Sequence, residues 1–313
     1  VCYTEEDGMP SSRVRAVAES KDGSVLAACT GGVAVVRDGK VETIYNDKSG
    51  ITNTEVLTVC ETKNGDRIIG TDGGGIYVLR GDKVEHIDQK SGLSSGIIMR
   101  LKYDEKRDLT WIVTSNAIGI LTSDYKVKML NKFPYSNNFD MYESRKGEMW
   151  ILSSNGVYVI ETGKLLKNHK LTPMFYNKEN GLQVIATANS YSCLGPNGDL
   201  YIAGSTGVSK VNIENDFENV DKIKVGLQYI NVDGKKIYPN KNNVFKLDSD
   251  AKRVTFYLGV YTYSLINPKV TVSLRGFGDK KSTVSRSDLS PIVYTNLKGG
   301  KYSFDVEVVS SNG

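Results

Sequence analysis

The stretch Gly147–Ile160, GEMWILSSNGVYVI, reads as a strand, a turn and a second strand. The same pattern occurs earlier at Gly65, where the chain runs GDRIIGTDGGGIYVL. Five copies are present, each entered through a turn. Their anchor residues are Gly23, Gly65, Asp108, Gly147 and Gly198, spaced 42, 43, 39 and 51 residues apart. Three residues after the anchor stand Leu26, Ile68, Trp111, Trp150 and Tyr201, all large. Six after it stand Cys29, Thr71, Thr114, Ser153 and Gly204, all small. A strand pattern repeating near 40 residues is the signature of a β-propeller or another repeat array.

The second copy shows what one repeat contains. Val56–Glu61 alternates as a strand, KNGD is a turn, RIIGT is a short apolar strand, and DGGG turns again. IYVLR and VEHIDQ then supply two further strands about a GDK turn. Four short antiparallel strands in one period make a propeller blade, whose two faces are buried only by stacking on neighbouring blades. The large residue at Trp111, Trp150 or Tyr201 is expected to fill the wedge between blades.

A second mark recurs where fourth strands end. Tyr3, Tyr45 and Tyr176 each precede a glycine by five positions, at Gly8, Gly50 and Gly181, and Ile87 does so at Gly92. By this mark Val1–Tyr3 is the last strand of a preceding blade. Five blades can close a ring, but the reading adopted is that they belong to a larger one, with more blades before Val1. An acidic residue also stands four before the anchor at Glu19, Glu61, Asp104 and Glu143. One carboxylate per blade does not converge on a cation, so each is expected to cap the turn into the next strand.

The 40-residue rhythm stops after SKVNIENDFEN, placing a boundary between 1–218 and 219–313. In the second region VDGK sets Asp-Gly between two apolar runs, a hairpin signal. Near the end Tyr302, Phe304, Val306 and Val308 share one strand face. About seven such strands read as a β-sandwich of immunoglobulin or fibronectin type. The fold class is therefore all-β, a propeller followed by a sandwich.

Composition narrows the function. Forty basic and 36 acidic residues give a net charge of +4, with no concentrated basic face for nucleic acid. No run of about 18 apolar residues is long enough to span a membrane, and no leader opens the segment. If the protein is exported or anchored, the signal and the anchor lie outside this chain. The four cysteines lie far apart without a CxxC or Cys/His cluster, so neither a metal site nor a cofactor is expected. Cys60 and Cys193 share a repeat position and read as small buried residues. His86 and His169 read as surface histidines, and Gly70–Gly75 as a blade turn rather than a phosphate loop, since no Lys-Ser/Thr follows. No catalytic set is assigned.

These residues resemble the repeats of two-component regulator propellers. Gly8, Pro10, Ser11, Ser12, Gly23, Leu26 and Gly32 fit that pattern in the first copy. Gly50, Glu61, Gly65, Ile69, Gly70 and Thr71 fit in the second, and Gly92, Leu93, Trp111 and Ile112 in the third. The fourth departs from it, with FPYSNN in place of the Gly-Leu-Pro opening. The tail, with LGVYTYSLINP, SLRGFG and YTNLKGGKYSFDV, resembles the triple-tyrosine sandwich domain that accompanies them. It has Val270 and Val272 where that domain carries aromatics. The resemblance implies an extracytoplasmic sensor: a periplasmic or extracellular region of a bacterial membrane receptor, leading to a histidine kinase or, in some cases, a diguanylate cyclase. It implies a small-molecule or oligosaccharide ligand, and a homodimer through the sandwich, with the exposed aromatics of Tyr257–Tyr263 as a candidate contact. A protein-binding scaffold propeller and a polysaccharide-active enzyme are the alternatives.

Ligand is expected at one mouth of the propeller axis, where loops from several blades converge. The loops entering the innermost strands carry Arg13, Arg15, Glu55, Met99, Arg100, Asp140 and Tyr191. That mixture of charge and aromatic surface suits an anionic or carbohydrate ligand.

Overall fold

The computed structural model describes residues 2–134, 136–178, 182–188, 190–215, 223–262, 268–278 and 280–309. Val1–Lys178 and Leu182–Glu214 form one compact unit and Asn215–Gly313 another. The expected boundary at 218 lies outside the described residues, as do Gly181 and Tyr263.

The first unit is built of five antiparallel sheets in sequence order. Sheet 1 holds β1 (Val14–Glu19), β2 (Val25–Cys29), β3 (Gly32–Arg37) and β4 (Lys40–Tyr45). Sheet 2 holds β5 (Val56–Glu61), β6 (Arg67–Thr71), β7 (Ile76–Arg80) and β8 (Lys83–Ile87). Sheet 3 holds β9 (Ile98–Asp104), β10 (Leu109–Thr114), β11 (Ile118–Thr122) and β12 (Val127–Met129). Sheet 4 has β13 (Asn138–Glu143), β14 (Glu148–Ser153), β15 (Gly156–Glu161) and β16 (Met174–Tyr176). Sheet 5 is described as β17 (Cys193–Leu194), β18 (Asp199–Gly204) and β19 (Gly207–Asn212).

The anchors have a backbone cause. Gly23, Gly65, Asp108, Gly147 and Gly198 all lie at φ between 51° and 84°. Glycine enters that left-handed region without steric cost, and aspartate is among the few residues that tolerate it. The small residue six places later ends the second strand of each sheet. There the hydroxyls of Thr71, Thr114 and Ser153 donate to the carbonyls of Gly75, Ala117 and Gly156 across the hairpin, at 2.9–3.1 Å.

The tyrosine–glycine mark is also a local structure. After Tyr45 and Ile87, Asn46 and Asp88 accept backbone N–H bonds from a single 3-10 turn that ends on left-handed Gly50 or Gly92. After Tyr3 a 3-10 turn at Glu5–Asp7 also ends on left-handed Gly8, but there the Asp7 carboxylate accepts the Thr4 N–H and hydroxyl. Cys2 and Tyr3 are not in a strand, which corrects the expectation for them, while Val1 lies outside the described residues. Tyr3 packs with Met9 on Ala27 and Ala34, the face of sheet 1 turned away from sheet 2.

Each sheet buries its faces against its sequence neighbours. Leu26 meets Ile69 between sheets 1 and 2, and Ile68 meets Ile112 between sheets 2 and 3. Trp111 meets Ile151 between sheets 3 and 4, and Trp150 meets Ile202 between sheets 4 and 5. The position expected to fill the wedge does so in four copies. Tyr201 departs, at 41% exposed, with Lys210 5.8 Å from its ring. The wide spacing before the fifth copy accommodates a short helix, α1 (Thr162–Lys167), which seats Leu165 in the core between sheets 3 and 4.

The second unit pairs β20 (Lys224–Val232), β21 (Lys235–Ile237), β22 (Arg253–Tyr261) and β25 (Ile292–Thr295) in the order β21-β20-β22-β25. A second sheet has the order β24-β23-β26, formed from β23 (Lys269–Arg275), β24 (Ser282–Ser285) and β26 (Ser303–Val309). The hairpin at VDGK forms, with Asp233 and Gly234 both at positive φ as a tight two-residue turn requires. The two sheets share a core in which Phe256 stacks on Phe304 at 4.2 Å and packs edge-on to Tyr294.

Candidate functional site

The innermost strands β1, β5, β9 and β13 carry the same irregularity. Each slips register once near its start, between Val14 and Ala16, Val56 and Thr58, Ile98 and Arg100, and Asn138 and Asp140. A bulge of this kind re-aims the next side chain. Ala16, Thr58, Arg100 and Asp140 therefore occupy one structural position, opposite Ala28, Gly70, Val113 and Leu152. In sheets 3 and 4 that position carries opposite charges.

Arg100 Nε lies 3.2 Å from Asp140 Oδ2, with both side chains nearly buried. Lys102 Nζ lies 2.7 Å from Asp140 Oδ1 and donates to the Met141 carbonyl at 2.7 Å. The Tyr142 hydroxyl donates to Asp140 Oδ2 at 2.9 Å and also contacts the Ser192 carbonyl. Asp140 Oδ1 further accepts the Met141 N–H at 2.7 Å. Aromatic rings cover both cations: Tyr191 lies 4.0 Å from the Arg100 guanidinium and Tyr142 lies 3.4 Å from Lys102 Nζ. The Tyr191 hydroxyl donates to the Leu57 carbonyl at 3.1 Å, so this residue from the segment entering sheet 5 reaches sheets 2 and 3 together.

Burial and pairing compete for the charges. Burial lowers the proton affinity of Lys102, and Asp140 only partly offsets it. For Arg100 burial acts the same way, but Asp140 and Tyr191 outweigh it and hold the group above its ordinary value. The Tyr142 phenol is pushed up, first by burial and then by Asp140. Lys102 is tied to a carboxylate and a carbonyl, so the cluster is arranged to present charge and ring surface rather than to move a proton.

Of the expected site residues, Arg100, Asp140 and Tyr191 come together. Arg100 and Asp140 lie within strands rather than in the loops entering them. Glu55 stands apart, accepting the Thr30 hydroxyl at 3.1 Å between sheets 1 and 2. Arg13 is exposed and Arg15 half-buried on sheet 1. Met99 packs into the core between sheets 3 and 4. Lys102 and Tyr142 were missed by sequence reasoning. They share one position, opposite Trp111 and Trp150, but the third repeat has one extra residue in its turn, which hides their equivalence when counted from the anchor.

Other expectations are corrected in part. Cys60 is buried, its thiol pushed up to about 12 by that burial, but Cys193 is exposed. Asp104 caps its own turn by accepting the Arg107 N–H at 3.1 Å, as expected. Glu61 and Glu143 instead bind the turn of the preceding sheet, at Ser20–Lys21 and Arg107. His86 is exposed, stacking on Tyr77, and His169 is exposed too. Among the described residues no helix is long and apolar enough to cross a membrane, and no three His, Cys, Asp or Glu side chains gather to hold a metal ion.

No family model and no curated protein matches this chain. Solved structures do. The chain is similar to the extracellular domain of a protein described as a hybrid two-component system, BT3049 from B. thetaiotaomicron. The TM-score is 0.76 at 18% identity, covering 96% of this chain and 42% of that one. It is also similar to the corresponding domain of BT4673 from the same organism, with a TM-score of 0.50 at 15% identity, covering 94% of this chain and 42% of that one. This chain spans less than half the length of either. At such identities the likeness is one of fold.

Proposed function

We propose that this chain is a ligand-sensing part of the extracytoplasmic region of a bacterial membrane receptor of the two-component type. The observation that carries the reading is the agreement of fold with the BT3049 extracellular domain across 96% of the chain. The cluster of Arg100 and Asp140, nearly buried, with the more exposed Lys102, Tyr142 and Tyr191 beside them, gives that fold a place to recognise a small molecule or oligosaccharide. On this reading the chain itself is not an enzyme. It faces the periplasm or the exterior, and a histidine kinase module supplies the output.

Two features extend the proposal. The end sheets carry faces built like those that pack elsewhere. Val17 is 68% exposed, whereas its equivalents Val59, Leu101 and Met141 are 4% or less. Tyr201 is the matching exposed residue on sheet 5. Further blades of the same polypeptide on these two faces make the array part of a larger ring. In the second unit Tyr257 and Tyr261 are exposed and supply a contact for a homodimer through the sandwich.

The test is a reporter strain. The complete gene and a version lacking the segment for this chain are compared during growth on a panel of single glycans and their oligosaccharides. A response to one of them that vanishes with the segment is the expected result. An output indifferent to the panel and to the deletion sinks the reading.

A further inference from the structure

The charge in the candidate site does not balance. Two cations, Arg100 and Lys102, share the single carboxylate of Asp140. That carboxylate is already occupied by the Met141 N–H, the Lys102 ammonium and the Tyr142 hydroxyl. Arg100 is 8% exposed, and its Nε, although 3.2 Å from Asp140, makes no hydrogen bond of acceptable geometry. Among the described residues no carboxylate or carbonyl accepts a hydrogen bond from its Nη1 or Nη2. The Nε of this guanidinium is buried without a hydrogen bond, which is costly, and its outer edge is left for another acceptor.

We propose that the site takes a ligand bearing a carboxylate, which binds the free edge of the Arg100 guanidinium. The inference rests on the ligand-sensing reading and names the chemistry of its ligand. A planar carboxylate matches the guanidinium fork with two parallel hydrogen bonds, a geometry that lysine cannot reproduce. It also cancels the surplus positive charge that Asp140 leaves. Tyr191 covers the guanidinium face and holds it edge-on to the incoming group, while its own ring, 44% exposed, offers a surface for the rest of the ligand. Tyr191, in the segment entering sheet 5, reaches Leu57 in sheet 2 and Arg100 in sheet 3, so an occupied site ties these elements together.

The test is calorimetric titration of the chain with D-glucuronate as the probe and D-glucose as its neutral counterpart. Saturable binding of glucuronate without glucose is expected. Arg100→Lys keeps the charge and removes the fork, and should weaken binding by about tenfold or more. Asp140→Asn removes the competing carboxylate and should tighten it, and glucuronate should raise the melting temperature of this variant more than that of the wild type. A merely structural cluster weakens in both variants alike, and that pattern overturns the proposal. So does a glucuronate affinity unchanged in Arg100→Lys, or the absence of saturable glucuronate binding. Capture of a neutral oligosaccharide without glucuronate sinks the carboxylate and leaves the sensing reading standing. Glucuronate binding at Arg100 with an unresponsive full receptor sinks the sensing reading and leaves the site.

Discussion

The Lys21 ammonium donates to the Lys63 carbonyl at 2.6 Å, joining one residue to its own repeat equivalent in the next sheet. The link is passed on. Lys63 Nζ reaches Asp108 at 2.6 Å, Arg107 binds Glu143 at 2.5–2.7 Å, and Arg145 donates to the Pro196 carbonyl at 2.8 Å. Lys21, Lys63, Arg145 and Pro196 all stand two before their anchors. A chain of turn-to-turn clasps thus runs along one edge of the array and supplements the apolar packing between sheets.

The clasps should differ in strength. Arg107 is about one-fifth exposed and holds both Asp104 and Glu143, whereas the Lys63 and Asp108 side chains are about two-fifths exposed and make one pairing. Arg107→Met should cost about 1–3 kcal/mol, as loss of charged hydrogen bonds in a partly buried pair does. Lys63→Met should cost clearly less, as exposed ion pairs do. Urea unfolding of the two variants checks the order, and equal costs would mean that burial does not set the strength of these links.

The same Arg107 pairing has a pH signature. Burial alone raises Glu143, but the bond to Arg107 outweighs it and holds the carboxyl below its ordinary 4.5. A group depressed in the folded state stabilises above its unfolded value and loses that contribution as pH falls through the folded one. The stability difference between the wild type and Glu143→Gln should therefore be full above about pH 5 and shrink in more acid solution. A difference that grows with acidification contradicts the pairing.

One repeat position offers an internal control. Trp111 is 4% exposed between sheets 3 and 4, and its indole donates to Asp104 at 3.1 Å. Tyr201 occupies the same position on the open face of sheet 5. Trp111→Ala should cost about 3–5 kcal/mol and Tyr201→Ala under about 1 kcal/mol when measured on this chain. If the array belongs to a larger ring, as proposed, a further blade would cover Tyr201 and the second cost should rise in the full-length protein. A Tyr201 cost that stays low there argues against the larger ring.

Asn138 is fully buried, yet neither atom of its amide has a hydrogen-bond partner among the described residues. Its repeat equivalents Val56 and Ile98 are apolar core residues. Asn138→Val should raise stability by about 1–2 kcal/mol, since it removes an unpaired buried amide. A raised denaturation midpoint is the expected observation, and a lowered one assigns the amide a partner.

The strands of the second repeat were legible almost residue by residue. Val56–Glu61, RIIGT and IYVLR coincide with β5, β6 and β7, because alternating side chains and left-handed glycines dictate them locally. The site was legible only in part. Arg100, Asp140 and Tyr191 could be named from their place before each anchor. Lys102 and Tyr142 could not, because a bulge and one added turn residue shift the register by amounts that only the hydrogen-bond ladder reveals. The pairing of Glu61 and Glu143 with the preceding sheet was hidden for a related reason. A carboxylate before a turn caps that turn or the neighbouring one according to how adjacent sheets stack, and local sequence carries no record of the stacking.

On the function proposed above, a ligand sits where β9, β13 and the segment entering sheet 5 meet. Hydrogen–deuterium exchange of the chain, alone and with a mixture of acidic and neutral oligosaccharides prepared from pectin and mucin, tests it most directly. Slower exchange is expected in residues 98–104, 138–143 and 190–194 together. Protection confined to other segments, or none anywhere, would contradict it.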